Sequence, residues 1–408
     1  MKESRMVTAQ LQKRDPLAWS VLLRERLGKA DVVVTAVSSK PLRFPSHHGR
    51  VSRYLLALEG HSDPITVIGK RTTPLEVQFY QHLAPQLPRL TPPCYFIHPP
   101  DDTEIGWLVL ADVPNDISPE RWGLEDVEAI ITRLADYHAV FWGQEETLER
   151  AGLPHFLGGA PYTWEELRQE QAIYFDQGPA AMLSDHALQH AGQLAPLLLK
   201  AANGVAVMRA LGGWPGILGE SHLAAAADLL DDPAPMLEPL RQLPPTLLHG
   251  APHSYHWQLS LFDDVYLLDW QKAAIGPGIC DLVNFLEQFE LLYADGDRCN
   301  MGVRPFWPLS EETMVDSYLI GMRARLGPTF QGRAVRQALS AARCLYVLVN
   351  WFALFAEWFA EMPNPYVWQK INTLPEDELM GSAHEPIARV RPYLQGVYGR
   401  FLQAYRSL

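Results

Sequence analysis

The stretch Thr246–Leu286, TLLHGAPHSYHWQLSLFDDVYLLDWQKAAIGPGICDLVNFL, decides how the rest of the chain is read. Thr246–Leu248 reads as a short strand that runs into a tight polar loop. A hairpin closes near Asp263-Asp264, and a buried strand, Val265–Leu268, ends on Asp269. Gly276-Pro277-Gly278 then makes a turn before Asp281 and an apolar helix start. An apolar strand ending in a polar residue holds that residue rigidly while its end stays wet, which is how folds present reactive groups at a cleft rim.

Upstream of this stretch, Glu125–Trp142 carries Val127, Ile130, Ile131, Leu134, His138 and Phe141 at three- and four-residue steps, the pattern of an amphipathic helix. His138 lies on the apolar stripe and reads as a packed core histidine rather than a ligand. Residues 150–245 are helix-rich, with breaks at Gly158-Gly159, Gly212-Gly213-Trp214-Pro215 and Asp231-Asp232-Pro233. Downstream, Ala341–Phe359 contains Trp351, Phe352, Phe355, Trp358 and Phe359, which predicts a buried helix. A cation–π pocket is the less favoured reading of those rings.

The N-terminal part changes character. Asp15-Pro16 opens a helix that Gly28 closes, with the cap and proline where helices favour them. Val32–Thr35, Arg53–Leu58 and Ile65–Ile68 read as strands, and Lys70 follows the third. Thr73-Pro74-Leu75-Glu76 opens another helix and has capping-box spacing, in which Glu76 would satisfy the helix N-terminus. Pro92–Ile97 and Trp107–Leu110 form a hairpin.

Composition narrows the function. The chain has 408 residues, enough for two lobes, with 48% hydrophobic and 20% charged residues. A net charge of -13 argues against a nucleic-acid partner, because neutralising phosphates needs a basic face. Cys94, Cys280, Cys299 and Cys344 lack metal-ligand spacing and read as reduced thiols. The N-terminus has no apolar signal core, and the run Cys344–Ala356 is too short to span a bilayer. The expectation is a soluble cytoplasmic protein without membrane or nucleic-acid partners; the composition assigns no oligomeric state.

The central stretch resembles the aminoglycoside phosphotransferase and choline kinase group of small-molecule kinases. Their signature is His-Gly-Asp, four residues, Asn, and later a strand ending in Asp-Trp or Asp-Phe. Here His249 and Gly250 match, His253 matches a common loop histidine, and Asp269-Trp270-Gln271 matches the second motif. Gly276-Pro277-Gly278 and Asp281 match the segment that follows. The catalytic-base aspartate falls on Ala251, and the metal-binding asparagine falls on His256.

The resemblance implies a two-lobed, protein-kinase-like α+β fold. An N-terminal helix would occupy residues 1–30, an antiparallel-sheet small lobe 31–110, and a helical large lobe 111–408. ATP and Mg²⁺ are the implied cofactors, and a small molecule bearing a hydroxyl is the implied acceptor. Lys70 would hold the nucleotide phosphates with Glu76 as its partner, and the backbone of Ala111–Pro114, with Ala111 and Val113, would bind adenine. Asp269 would hold the metal, with His256 in the second metal position, although imidazole prefers transition metals to magnesium. Asp281 would hydrogen-bond the catalytic loop. Lys70 and Asp269 would then face each other across a gap wide enough for a triphosphate.

Ala251, His256 and the segment Ser38–Arg50 depart from the family's needs. Ala251 takes up no proton, a loss worth about 10²–10⁴ in rate. His253 would be a substitute base only from a displaced position. The segment Ser38–Arg50 contains Gly49 alone and two prolines, a poor phosphate cradle, with Lys40, Arg43 and Arg50 as its charges. Two readings stay open: a phosphotransferase relative with impaired or altered activity, and a pseudokinase-like protein that binds a ligand or partner without catalysis.

Overall fold

Five antiparallel strands form one sheet: β1 (Val34–Leu42), β2 (Val51–Leu58), β3 (Ile65–Thr72), β4 (Cys94–His98) and β5 (Gly106–Ala111), in the order β1-β2-β3-β5-β4. Side chains alternate between its two faces, and each face has its own core. Tyr54, Leu56, Val67, Trp107 and Val109 pack with Leu11, Trp19, Leu22 and Leu23 from two N-terminal helices, α1 (Lys2–Gln12) and α2 (Pro16–Leu27). Leu108 and Leu110 point the other way, into the main core, with Val77 and Phe79 of α3 (Pro74–His82). The computed structural model describes residues 2–42, 51–100, 105–174, 181–210, 219–262, 264–293, 301–303, 308–354, 374–382 and 385–408.

Local chemistry sets the ends of α2 as expected. Asp15 caps it by accepting from the Leu17 N–H, Pro16 takes the first position, and Gly28 ends it at φ 64°. Ser20 Oγ accepts from the Val34 N–H at 2.8 Å and fastens α2 to β1. Where one N-terminal helix was expected there are two.

The strands also run further than their apolar runs suggest. Ser38–Leu42 are not loop: they pair with Leu55–Val51. Residues 43–50 of the segment read as a poor phosphate cradle lie outside the described residues. Lys70 sits inside β3, opposite Val51 on one side and Leu108 on the other, with Arg71 and Thr72 continuing the strand. Backbone pairing overrides side-chain polarity here, because a central strand continues as long as both neighbours supply partners.

The remainder is mainly helical. Helix α4 (Leu124–Val140) buries Val127, Ile130, Ile131, Leu134, Tyr137 and His138 and packs along the helix Glu311–Leu326. The helix Leu339–Val347 passes into a π-helical turn, Leu348–Phe352. Trp351 and Phe352 there are core residues, with Phe352 edge-on to Tyr398 and Phe401. Phe355, Trp358 and Phe359 lie outside the described residues. Four short strands fill the central stretch: β6 (Thr246–Leu248), β7 (Trp257–Leu259), β8 (Val265–Leu267) and β9 (Ala274–Gly276). The expected hairpin is β7–β8; the pairing of β6 with β9 was not anticipated. No described helix is long and apolar enough to cross a membrane.

Candidate functional site

Lys70 of β3, Glu76 of α3 and Asp269, which follows β8, converge. The Lys70 ammonium lies 2.8 Å from Glu76 Oε1 and 2.5 Å from Asp269 Oδ1, across 199 residues of chain. Burial alone would lower the lysine pKa; the two carboxylates outweigh it and raise it. The ambiguity at Glu76 resolves. Thr73 caps α3 by accepting from the Glu76 N–H, but the Glu76 carboxylate does not reach back to the cap. It accepts instead from Lys70, from Thr72 Oγ1 and from the Trp270 N–H at 3.2 Å. A buried carboxylate is tolerable only with such complete partnering.

Trp270 is what brings the two parts of the chain together. Fully buried, it stacks on Phe79 of α3 with ring centroids 3.9 Å apart and planes 8° apart. Its indole N–H donates to the Leu267 carbonyl. Such a stack adds about 0.5–1.5 kcal/mol beyond its burial and fixes α3, hence Glu76, against the segment carrying Asp269.

Asp269 itself has φ 68°, a left-handed backbone that side-chain-bearing residues adopt reluctantly. The turn aims its two oxygens in different directions, Oδ1 at Lys70 and Oδ2 at His256 Nε2, 3.3 Å away. Burial would raise the carboxyl pKa, but His256 and Lys70 hold it well below the usual carboxylate range. His256 Nδ1 lies 2.7 Å from the Ala251 carbonyl, which only accepts. Both ring nitrogens of His256 thus face oxygen atoms.

Asp281 fastens the loop that follows β6. Its carboxylate accepts from the backbone N–H groups of His249 (2.6 Å) and Gly250 (2.9 Å) and from the Tyr137 hydroxyl (2.6 Å). Burial would raise its pKa, yet the hydrogen bond and charge of His138 and its other partners lower it. Gly250 has φ 81°, and a Cβ there would lie 2.4 Å from the Lys272 carbonyl oxygen, so this backbone contact admits only glycine. His249 donates from Nε2 to the Leu268 carbonyl at 2.7 Å and accepts from the Ala251 N–H at Nδ1. Burial, reinforced by His256, pushes its pKa down to about 4.

The other residues singled out in sequence fall as follows. Ala251 is buried at the same loop, its carbonyl accepting from His256 and from the His253 N–H. The His253 ring lies against that of His256, centroids 3.7 Å apart, and burial together with His256 lowers its pKa well below the ordinary value. A ring so disposed takes up a proton reluctantly. Ala111 ends β5 opposite Val67, and its N–H already donates to the Pro93 carbonyl at 2.8 Å. Only its neighbours, Val113 among them, are left to present hinge donors. His138 is a core histidine, bonded to the Tyr318 hydroxyl at 2.9 Å.

Sequence reasoning missed Thr72, Phe79 and Tyr137. The apolar stripe of α4 that included His138 also passes through Tyr137, the one signal that pointed to a buried hydroxyl. It also missed a buried ion network at Glu287. A cavity of about 230 Å³, lined by Glu311, Ser340, Arg343, Arg400, Gln403, Ala404 and Ser407, lies beside that network and shares no residue with the Asp269 cluster.

The expected gap between Lys70 and Asp269 is closed: the two groups touch. The residues also fit magnesium poorly. Magnesium wants oxygen ligands in a near-octahedral set, whereas the two side chains in contact with Asp269, Lys70 and His256, offer only nitrogen. Lys70 remains suited to a phosphate oxygen, as an exchange for Asp269.

No family model matches the sequence, and no curated protein matches it. Among solved structures, the chain is similar to a choline kinase from Cryptosporidium parvum (11% identity, 88% of this chain and 93% of that one covered, TM-score 0.43). It is similar to an aminoglycoside phosphotransferase from Alicyclobacillus acidocaldarius (15% identity, 87% and 89% covered, TM-score 0.40). A Plasmodium vivax ethanolamine kinase is a further such neighbour (9% identity, 90% and 95% covered, TM-score 0.46).

Proposed function

We propose that this chain is a relative of the ATP-dependent small-molecule phosphotransferases that keeps the phosphate-holding half of the site and lacks the base. The observation that carries this reading is the convergence of Lys70, Glu76 and Asp269. A lysine fixed by a buried glutamate points a positive charge at one place, and a polyphosphate oxygen replaces the Asp269 oxygen now at 2.5 Å. The acceptor is a small molecule bearing a hydroxyl, positioned near Ala251.

Phosphoryl transfer depends mainly on positioning and charge stabilisation, with a largely dissociative transition state. Losing the base at Ala251 therefore slows the reaction without removing nucleotide binding, and His253, with its lowered basicity, replaces the base poorly. Transfer to the hydroxyl is slow on this reading.

A second reading, a pseudokinase-like protein that binds without catalysis, draws support from the direct Lys70–Asp269 contact, which closes the space a triphosphate would occupy. Thermal denaturation with and without millimolar ATP tests the first reading. ATP raises the melting temperature of the wild type and not of Lys70→Met. No rise in the wild type removes the nucleotide from the account. A rise without any measurable ATP turnover favours the second reading.

A further inference from the structure

We propose that the cleft takes the polyphosphate of its nucleotide without a divalent cation, a nitrogen of His256 standing on the Asp269 oxygen that a metal would need. This rests on the nucleotide reading above and goes beyond it, since that reading leaves the metal question open.

The geometry runs through three contacts. His256 is anchored by its Nδ1 to the Ala251 carbonyl at 2.7 Å, so the ring cannot turn away without losing that bond. Its other nitrogen stands 3.3 Å from Asp269 Oδ2. The ring of His253 lies on it with centroids 3.7 Å apart and closes off one face. Asp269 is thereby supplied with one nitrogen partner on each oxygen, Lys70 on Oδ1 and His256 on Oδ2.

These two partners respond differently to a phosphate. Lys70 is drawn to it and leaves Oδ1. An unaccompanied Asp269 would then repel the anion at short range. A divalent ion is the usual remedy for such a pairing of carboxylate and phosphate. Here His256, anchored at the Ala251 carbonyl, remains on Oδ2, so Asp269 keeps one partner when Lys70 leaves. A magnesium ion would have to displace that nitrogen and would gain one carboxylate oxygen.

Calorimetric titration of the full chain with ATP, once in magnesium chloride and once in EDTA, tests the proposal. The expected result is an affinity in EDTA equal to or higher than that in magnesium. In His256→Asn, which removes the imidazole and offers an amide oxygen as a metal ligand, EDTA weakens binding by about tenfold or more relative to magnesium. Circular dichroism checks that the variant is folded, and the wild-type pair of titrations stands without it. Wild-type binding that is about tenfold tighter with magnesium overturns the proposal and leaves the nucleotide reading intact. A folded His256→Asn indifferent to EDTA overturns it as well. No heat from the wild type in either buffer overturns the nucleotide reading and the proposal with it.

Discussion

Two carboxylates, Glu287 and Asp269, are each clasped by two nitrogen-bearing side chains, in different settings. Glu287 is fully buried between helices. Arg343 Nε reaches its Oε1 at 2.6 Å, Arg400 Nη2 reaches its Oε2 at 2.8 Å, and Arg343 also pairs with Glu311 at 2.5 Å. Planar guanidiniums suit that clasp, because their donors are fixed in a fork and stay charged at any working pH. Asp269 keeps 24% of its side chain exposed, stands on a left-handed backbone, and is held by a lysine and a histidine. The first arrangement ties four helices together; the second joins two parts of the chain through side chains that are partly exposed. Charge clusters alone do not mark a site. Partial exposure and a left-handed backbone are what single out Asp269 as the candidate.

The largest expected effect separates the two on stability. Glu287→Ala leaves Arg343 with Glu311 alone, takes from Arg400 its buried carboxylate partner, and costs about 3–5 kcal/mol. Asp269→Asn leaves Lys70 its Glu76 partner and costs about 1–2 kcal/mol. Chemical denaturation measures both, and equal losses would erase the distinction drawn between them.

Next comes pH. Folded His249 binds its proton only near pH 4, against 6.5 ordinarily, so between those values the unfolded chain takes up a proton that the folded one does not. Stability therefore falls as pH drops from 6.5 towards 4, by an amount on the order of a few kcal/mol for this residue, and its contribution to the slope vanishes below 4. Asp281, whose folded pKa is lowered, adds stability above the ordinary carboxylate range that is lost as pH falls through its folded value. Denaturation midpoints across this range should show the loss in the wild type and a slope shallower by about one proton in His249→Asn. An unchanged slope would place the acid sensitivity elsewhere.

A smaller effect concerns chemistry. Ala251→Asp restores a carboxylate to the loop that Asp281 holds and should raise ATP turnover at least about tenfold. A variant that stays inert shows that the residue at 251 does not limit turnover. Smallest of all, Arg53→Ala removes an ion pair with Asp112 in which the arginine is 44% exposed, and it should cost less than about 1 kcal/mol. That pair gives the comparison its lower reference, an ion pair with an exposed arginine that joins β2 to the residue after β5.

Much of the fold was legible because its signals are local. The cap, proline and glycine of α2, the stripe of α4, the β7–β8 hairpin and the loop-to-Asp281 link each depend on residues near in sequence or on a compact motif. The length of β1, the position of Lys70 inside β3 and the short strand β9 were not legible, because a strand's extent depends on distant neighbours. Glu76 shows the limit most plainly: its spacing served a helix cap and a lysine partner equally well.

The order of residues alone determined which side chains carry charge, where the chain turns, and that position 251 carries an alanine. Tertiary structure decided which charges meet. It chose Lys70 over the helix cap for Glu76, brought Lys70 against Asp269 across 199 residues, and set His256 on the other oxygen. The physical reason is that a buried carboxylate must be matched atom by atom in space, and sequence spacing does not encode distances between segments that only packing brings together.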